Sequence, residues 1–269
     1  MPADMSSVAR RWPVRTFVAF LAVALVASLF VDAASAQTVQ PGGITDEAHD
    51  MHRLYLIVLG MGLAVFVVVE SALIYILIRF RRRNDELPPQ IHGNNALEVV
   101  WTGIPIVIVL TLFVFSFITL VNVEHEAKPG DLSIKVTGFQ YQWQFTYDGA
   151  TLGRTSLKIA DPIPPIIGKP DAEPIVVIPV NEPVEFRLES NDVNHAFYVR
   201  DFLYKLDVIP GRDNRFVVTA RETGEFQGQC AELCGIGHAK MRFRIRVVER
   251  TEFDNWIRDQ AGIKAARQP

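Results

Sequence analysis

Two cysteines, a histidine and a methionine fall in one short run near the end of this chain: Cys230-Ala231-Glu232-Leu233-Cys234-Gly235-Ile236-Gly237-His238-Ala239-Lys240-Met241. Thiolate, imidazole and thioether form a soft ligand set, which selects copper over magnesium, calcium or manganese. A mononuclear blue-copper site uses a single thiolate. Two thiolates four residues apart, each able to bridge, suit a pair of copper ions. A second ion needs its own imidazole, and His195 in Asn191-Asp192-Val193-Asn194-His195-Ala196-Phe197 is the candidate. Two other readings of the cysteines stand beside this one. Two cysteines in an exported domain commonly form a disulfide, although a Cys-x3-Cys loop is so short that bridging it constrains little chain entropy. Zinc also accepts two cysteines and a histidine, but has no use for Met241.

The rest of the chain must export and hold these residues. It has 269 residues and a net charge of −3, enough for one globular domain plus membrane segments and without the basic excess of a nucleic-acid binder. The hydrophobic content of 49% is concentrated in three apolar runs towards the N-terminus. The first, residues 17–26, follows Arg10, Arg11 and Arg15 and leads to Ala34-Ser35-Ala36. A basic start, an apolar middle and an A-x-A end read as a signal peptide over residues 1–36, with a third membrane helix as the alternative. The runs at about 54–78 and 99–121 are each long enough to span a bilayer. Between them lies Arg79-Phe80-Arg81-Arg82-Arg83, which belongs on the cytoplasmic side by the positive-inside rule. Residues 37–123 are therefore expected to form an external N-terminal segment and a transmembrane α-helical hairpin. The remainder then lies in the periplasm of a bacterial inner (plasma) membrane protein of multi-pass topology. Glu70 falls mid-span, where an ionisable group should face protein or water.

From Leu132 the pattern changes to period two. Phe139, Tyr141, Trp143, Phe145 and Tyr147 alternate with polar residues, as in a half-buried strand with an aromatic face. Residues 175–180, 184–188 and 215–219 read as further strands, with Asn181-Glu182-Pro183 as a turn. Met241, Phe243, Ile245 and Val247 alternate with Arg242, Arg244 and Arg246, so the Met241 sulfur should point to the apolar side. Many short strands with turn signals between them indicate an all-β Greek-key sandwich or barrel over residues 124–250. Residues 251–269 read as a C-terminal tail.

The cysteine run resembles the dinuclear copper (CuA) motif of cytochrome c oxidase subunit II of bacterial type, C-x-E-x-C-x3-H-x2-M, with no ligand position missing. The segment from Ser190 to His195 is similar to the upstream histidine segment of that family, and residues 205–212 to the stretch that follows it. The resemblance implies a cupredoxin-like Greek-key barrel. It also implies two copper ions held by His195, Cys230, Cys234, His238, Met241 and the main-chain carbonyl of Glu232. The carboxylate of Glu232 would join a magnesium site shared with subunit I. Glu98-Val99-Val100-Trp101 resembles the start of the family's second helix, which implies that Glu98 lies at the cytoplasmic mouth of a proton pathway. Its other reading is a helix-start acid favoured by the dipole. The family's G-x-Q-W-x-W appears here as Gly138-Phe139-Gln140-Tyr141-Gln142-Trp143. Tyr141 thus replaces the tryptophan through which electrons enter, and Trp143 matches the second.

Implied partners are subunit I and subunit III of the oxidase, a c-type cytochrome donor and the lipid bilayer. Oxygen reduction to water and proton translocation would take place in subunit I. Docking of a cationic donor should be electrostatic and weak, with Asp148, Asp171, Glu173 and Asp192 as candidate acids. No Cys-x2-Cys-His occurs, so the donor is a separate protein. The five copper-binding side chains argue against a quinol oxidase subunit, which lacks them. A CuA-containing nitric oxide reductase subunit and a free-standing, membrane-anchored copper electron carrier remain as alternatives. Two helices and Glu98 speak against the carrier, which needs one tether.

Overall fold

A computed structural model describes residues 42–82, 93–152, 163–169 and 172–262. The expected signal peptide over residues 1–36, together with Arg83 and Asp171, lies outside these.

Helix α1 runs Asp46–Arg79 and helix α2 Asn95–Val123. Both are longer than the apolar runs that mark them. Thr45 caps α1 by accepting the Ala48 N–H at 3.0 Å, and Asp46 and Glu47 occupy its first turn. Asn94 caps α2 by accepting from the Leu97 N–H at 3.2 Å. Such polar caps and acidic first turns stabilise helix starts, yet they carry no apolar signal. The two helices have 34 and 29 residues, about 51 and 44 Å at 1.5 Å per residue. Their Leu, Val, Ile and Phe side chains are exposed along the span, Val68 and Leu77 by more than 60%. By length and composition, both can cross a membrane.

The strands are β1 Leu132–Phe139, β2 Gln142–Tyr147, β3 Ile166–Ile167, β4 Ile175–Pro179, β5 Pro183–Ser190, β6 His195–Val199, β7 Tyr204–Val208, β8 Asn214–Thr219, β9 Gly224–Cys230 and β10 Arg242–Val248. They form two five-stranded sheets, ordered β3-β2-β1-β5-β8 and β4-β10-β9-β6-β7. Pairings are antiparallel except β1 with β5 and β10 with β4. This is the expected all-β cupredoxin-like unit behind an apolar helix pair.

One strand reading differs in detail. Phe139 to Tyr147 alternate as if on one strand, but the chain turns at Gln140 and Tyr141, and Phe139 pairs with Gln142 across that turn. Because this turn pairs odd positions with even ones, it reverses parity. Gly138 shares the buried face with Trp143, whereas Phe139 lies with Gln142 on the face opposite Trp143, Phe145 and Tyr147.

The sheets meet on an aromatic core. Phe197 of β6 lies 4.7 Å from Phe243 of β10 and 5.4 Å from Phe186 of β5, ring centre to ring centre. It also lies 6.0 Å from Trp143 of β2. Tyr147 joins the sheets by a different means. Its hydroxyl donates to the Val177 carbonyl at 2.7 Å and accepts from the Val177 N–H at 2.9 Å.

The segment read as a tail carries helix α3, Arg250–Gln260. Phe253 and Ile257 are buried in the core and Trp256 packs 5.3 Å from Tyr147. The period-3.6 spacing of Phe253, Trp256 and Ile257 is that of an amphipathic helix.

The start of α1 is tied to the β unit. Asp46 accepts two hydrogen bonds from Arg221 at 2.7 and 2.5 Å. Glu47 accepts the Thr219 N–H at 3.1 Å, and Arg221 N–H donates to the Ile44 carbonyl at 2.7 Å.

Candidate metal centre

His195 opens β6, Cys230 closes β9 and Met241 immediately precedes β10. Because β9 pairs with both β6 and β10, sheet geometry brings three positions from separate parts of the sequence to one end of one sheet. The ends of the loop between Cys230 and Met241 are fastened by main-chain bonds. Cys230 N–H donates to the Met241 carbonyl at 2.9 Å, and Ala231 N–H donates to the Ala196 carbonyl at 3.0 Å. The loop that bears the candidate ligands therefore starts and returns on rigid strands.

The soft atoms converge. Cys230 Sγ lies 4.0 Å from Cys234 Sγ, 3.9 Å from His195 Nδ1 and 3.3 Å from the Glu232 carbonyl oxygen. Cys234 Sγ lies 3.7 Å from His238 Nδ1 and 3.9 Å from Met241 Sδ. Ligand atoms about 2.0–2.3 Å from a shared ion at tetrahedral angles stand about 3.3–3.8 Å apart, so these separations fit ligands around metal. Both cysteines are free thiols, and at 4.0 Å their sulfurs stand well beyond the roughly 2 Å of a disulfide. Cys230, Cys234, His195 and Met241 are all at most 5% exposed. Glu232 turns its carbonyl inwards, while its carboxylate faces outwards, 3.7 Å from Lys205 Nζ.

Protonation at the thiols is uneven. Burial alone would raise the Cys230 thiol, but its hydrogen bonds to His195 and to the Glu232 and Ala196 main chain outweigh burial and bring it down to about 6. Burial and then repulsion from Cys230 push Cys234 up to about 11. One thiolate forms readily here, and the second needs added positive charge, which a bound cation supplies.

Three residues that the sequence reading placed near the site, without this role, position the candidate ligands. Asp192 Oδ1 stands 2.8 Å from His195 Nε2, and its Oδ2 accepts the Gln140 N–H at 2.6 Å. Burial raises Asp192, but the bonds to His195, Gln140 and Val193 overcome it and hold the carboxyl below the usual carboxylate range. In the neutral imidazole, an acceptor at Nε2 places the proton there and leaves the Nδ1 lone pair facing Cys230. Gln140 Nε2 donates to the Cys234 carbonyl at 2.6 Å. Gly138 lies so close to His195 that a Cβ there would meet the imidazole Cδ2 at 3.1 Å. Gly138 and Gln140 fall within the run matching the family's G-x-Q, and Asp192 lies three residues before His195. The bonds from Gln140 to Asp192 and Cys234, however, cross 52 and 94 residues, which spacing along the chain does not show.

The other expected site residues divide. Trp143 is wholly buried, its ring 6.1 Å from that of His195, with Nε1 donating to the Met241 carbonyl at 3.4 Å. Tyr141 is half-buried and its ring covers the loop at Gly237, where a Cβ would stand 2.3 Å from Tyr141 Cγ. Glu98 is exposed in the first turn of α2, beside a shallow depression lined by Asn95, Val99 and Thr102. It is about 38 Å of helix away from the β unit at 1.5 Å per residue. Of the candidate docking acids, Asp148 follows β2 at its other end and caps its own turn. Glu173 pairs with Arg244 Nε at 3.3 Å.

Residues 132–248 match the family described as "Cytochrome C oxidase subunit II, periplasmic domain", and residues 24–119 match "Cytochrome C oxidase subunit II, transmembrane domain". A protein of Rickettsia bellii named probable cytochrome c oxidase subunit 2 is 34% identical over 223 residues, covering 80% of this chain and 81% of its own length. Cytochrome c oxidase subunit 2 of Alkalihalophilus pseudofirmus is 38% identical over 218 residues, covering 78% of this chain and 57% of its own length. The crystal structure of the periplasmic domain of subunit II of cytochrome oxidase (CoxB) of Bradyrhizobium japonicum is 36% identical, covering 52% of this chain and 99% of that one, with a TM-score of 0.40. With matches to both the helical and the β portions, and a relative covered over four-fifths of its length, the chain belongs to the cytochrome c oxidase subunit II family.

Proposed function

We propose that this chain is the electron-entry subunit of a haem-copper oxidase, taking electrons from a c-type cytochrome and passing them to haem in subunit I. The observation that carries this reading is the convergence of five soft side-chain donors at one end of a rigid sheet, with both thiols free. Membership of the subunit II family supports it.

His195, Cys230, Cys234, His238, Met241 and the Glu232 carbonyl would hold a dinuclear copper centre. When bound, the copper pair supplies a one-electron store shared over two ions. The protein's part is to keep that store rigid and dry. The thiolates, set on the ends and middle of a loop clamped between β9 and β10, have little freedom to reorganise as charge changes. Asp192 fixes the His195 ring. Trp143, Phe197 and Phe243 exclude water behind it. A preorganised, apolar surround of this kind lowers the reorganisation that accompanies electron movement and tunes the metal.

The outward carboxylate of Glu232 would be free to meet a magnesium ion at the boundary with subunit I, since hard oxygen ligands suit that ion. Tyr141, lying over the loop, would form the entry surface, with Trp143 behind it. Glu98, at the far end of α2, would stand at the cytoplasmic mouth of a proton route. In this reading the two helices cross the bacterial inner membrane as a hairpin after removal of residues 1–36. The β unit stands in the periplasm, and oxygen reduction coupled to proton translocation belongs to subunit I, with subunit III completing the assembly.

The test is copper stoichiometry and electron paramagnetic resonance on the full-length chain purified in mild detergent and loaded with copper. Two coppers per chain with one unpaired electron shared over both nuclei is the expected result. One copper with a localised signal, or a Cys230–Cys234 disulfide that excludes metal, would overturn it. Co-purification with a large haem-bearing chain separates a subunit from a free-standing carrier, which would travel alone.

A further inference from the structure

The loop that carries the ligands is flanked by positive charge that the metal centre does not use. Lys169, just after β3, and Lys240 and Arg242, where the loop returns into β10, line an open depression of about 340 Å³ with Gln142 and Glu173. All three cations are exposed, and among the described residues none of them has an ion pair. Among the described residues Glu173 is the one acid lining the depression, and it is bound by Arg244. The other acids nearest the loop are engaged as well. Asp192 accepts from His195 and Gln140, and Glu232 faces Lys205. The chain is acidic as a whole, at −3, yet among the described residues the side chains left without a counter-charge on this flank are cations.

An apolar centre lies beside them. Ile236 is fully exposed and Leu233 is 78% exposed. Away from the helix pair they are the two most exposed large apolar side chains among the described residues. Ile236 stands between Gly235 and Gly237, the two glycines against which the Tyr141 ring packs, and Tyr141 is followed by Gln142 in the depression. The apolar tip thus sits on the glycine turn that the half-buried aromatic ring covers, and the residue that follows that ring lines the cationic depression. An exposed apolar group rimmed by charge is the anatomy of a transient docking face.

We propose that this face docks a soluble electron-donor protein whose contact surface is acidic, in place of the cationic donor that the sequence suggests. The inference rests on the reading of the chain as an electron-entry subunit. Opposite charge across a weak interface speeds encounter and suppresses wrong partners, so Lys169, Lys240 and Arg242 attract a carboxylate-rich surface and repel a lysine-rich one. Each productive encounter moves one electron. The donor is oxidised, the metal centre is reduced, and no bond or proton is exchanged.

Binding is measured on the full-length chain, copper-loaded and in non-ionic detergent, against two oxidised c-type cytochromes, one acidic and one basic, at low and at physiological ionic strength. The acidic cytochrome should bind more tightly and lose affinity as salt is added. Combining Lys169→Glu, Lys240→Glu and Arg242→Glu should weaken its binding about tenfold or more at low salt, chiefly through slower association, and improve that of the basic one. Lys169→Glu alone, remote in sequence from every ligand, should act in the same direction with a smaller effect and guards against a folding artefact in the triple variant. Preference for the basic cytochrome, or binding of the acidic one that is unmoved by charge reversal, would overturn the proposal. Copper content and the paramagnetic signal of the same samples report separately on the electron-entry reading. A normal copper signature without charge preference sinks only the docking inference, whereas its absence in the unmutated chain sinks the underlying one.

Discussion

Asp192 Oδ1 stands 2.8 Å from His195 Nε2, which leaves His195 Nδ1 facing Cys230 Sγ at 3.9 Å. The carboxylate thus sets the ring from the side opposite the metal centre. Partners placed this way behind a ligating histidine are commonly worth 10–100-fold in metal affinity. Asp192→Ala should therefore lower copper affinity by about that factor, read by competition with a chelator, while leaving the secondary structure unchanged. An unaltered affinity would show that the carboxylate does not position His195.

Gly237 and Tyr141 form a second close pair. A methyl at position 237 would enter the Tyr141 ring, so Gly237→Ala must displace either the ring or the loop that carries His238. Overpacking of this kind costs about 1–3 kcal/mol. Adding Tyr141→Ala should recover most of the loss, and a double-mutant cycle on thermal stability measures the coupling. Additive effects would mean that the ring and the loop do not meet in solution.

Tyr147 bridges the sheets by both donating to and accepting from Val177. Tyr147→Phe leaves a buried N–H and C=O without this partner, at about 1–3 kcal/mol. Burial pushes the phenol far above its ordinary value of 10.0. A group raised in the folded state contributes its stability below the unfolded value and loses it as pH climbs beyond that value. Stability should therefore fall as pH rises above about 10, and Tyr147→Phe should flatten that part of the profile, as followed by denaturant midpoints.

Helix α3 belongs to the core through Phe253 and Ile257. Phe253→Ala should destabilise the β unit by about 3–5 kcal/mol, measured by denaturation monitored at the buried tryptophan. A loss below about 1 kcal/mol would mean that the helix is a dispensable appendage.

Arg221 joins the β unit to the start of α1 through Asp46 and also contacts Asn181. The pair is solvent-exposed, so Arg221→Ala should change global stability by no more than about 1 kcal/mol. Local loosening is the expected effect, seen as faster amide exchange over residues 44–48 with exchange in the sheets unchanged.

The run of soft donors, the helix pair and most of the strand periodicity were legible in the sequence, because each depends on local spacing. Hydropathy marked the spans but stopped short of Thr45 and Asn94, since caps are polar. Alternation located the aromatic face of β2 but ran on through the turn at Gln140 and Tyr141 to Phe139, which lies on the opposite face because the turn pairs odd positions with even ones. The amphipathic helix after Arg250 was missed: its apolar residues are few and lie in a charged segment, so burial against Tyr147 decides its role.

For the site, residue type and offset alone determined the soft ligand set, from Cys230 to Met241 with His195 upstream. Tertiary structure decided what those residues meet. The strand order β10-β9-β6 brings His195 to Cys230 across a gap of 35 residues, and the turn after β1 delivers Gln140 to Cys234 across 94. Asp192 becomes a partner of His195 instead of a free surface acid, and Glu173 a partner of Arg244. Charge read along a chain counts residues. Which of those charges remain uncompensated depends on pairs formed between distant strands, and only the folded sheets fix them.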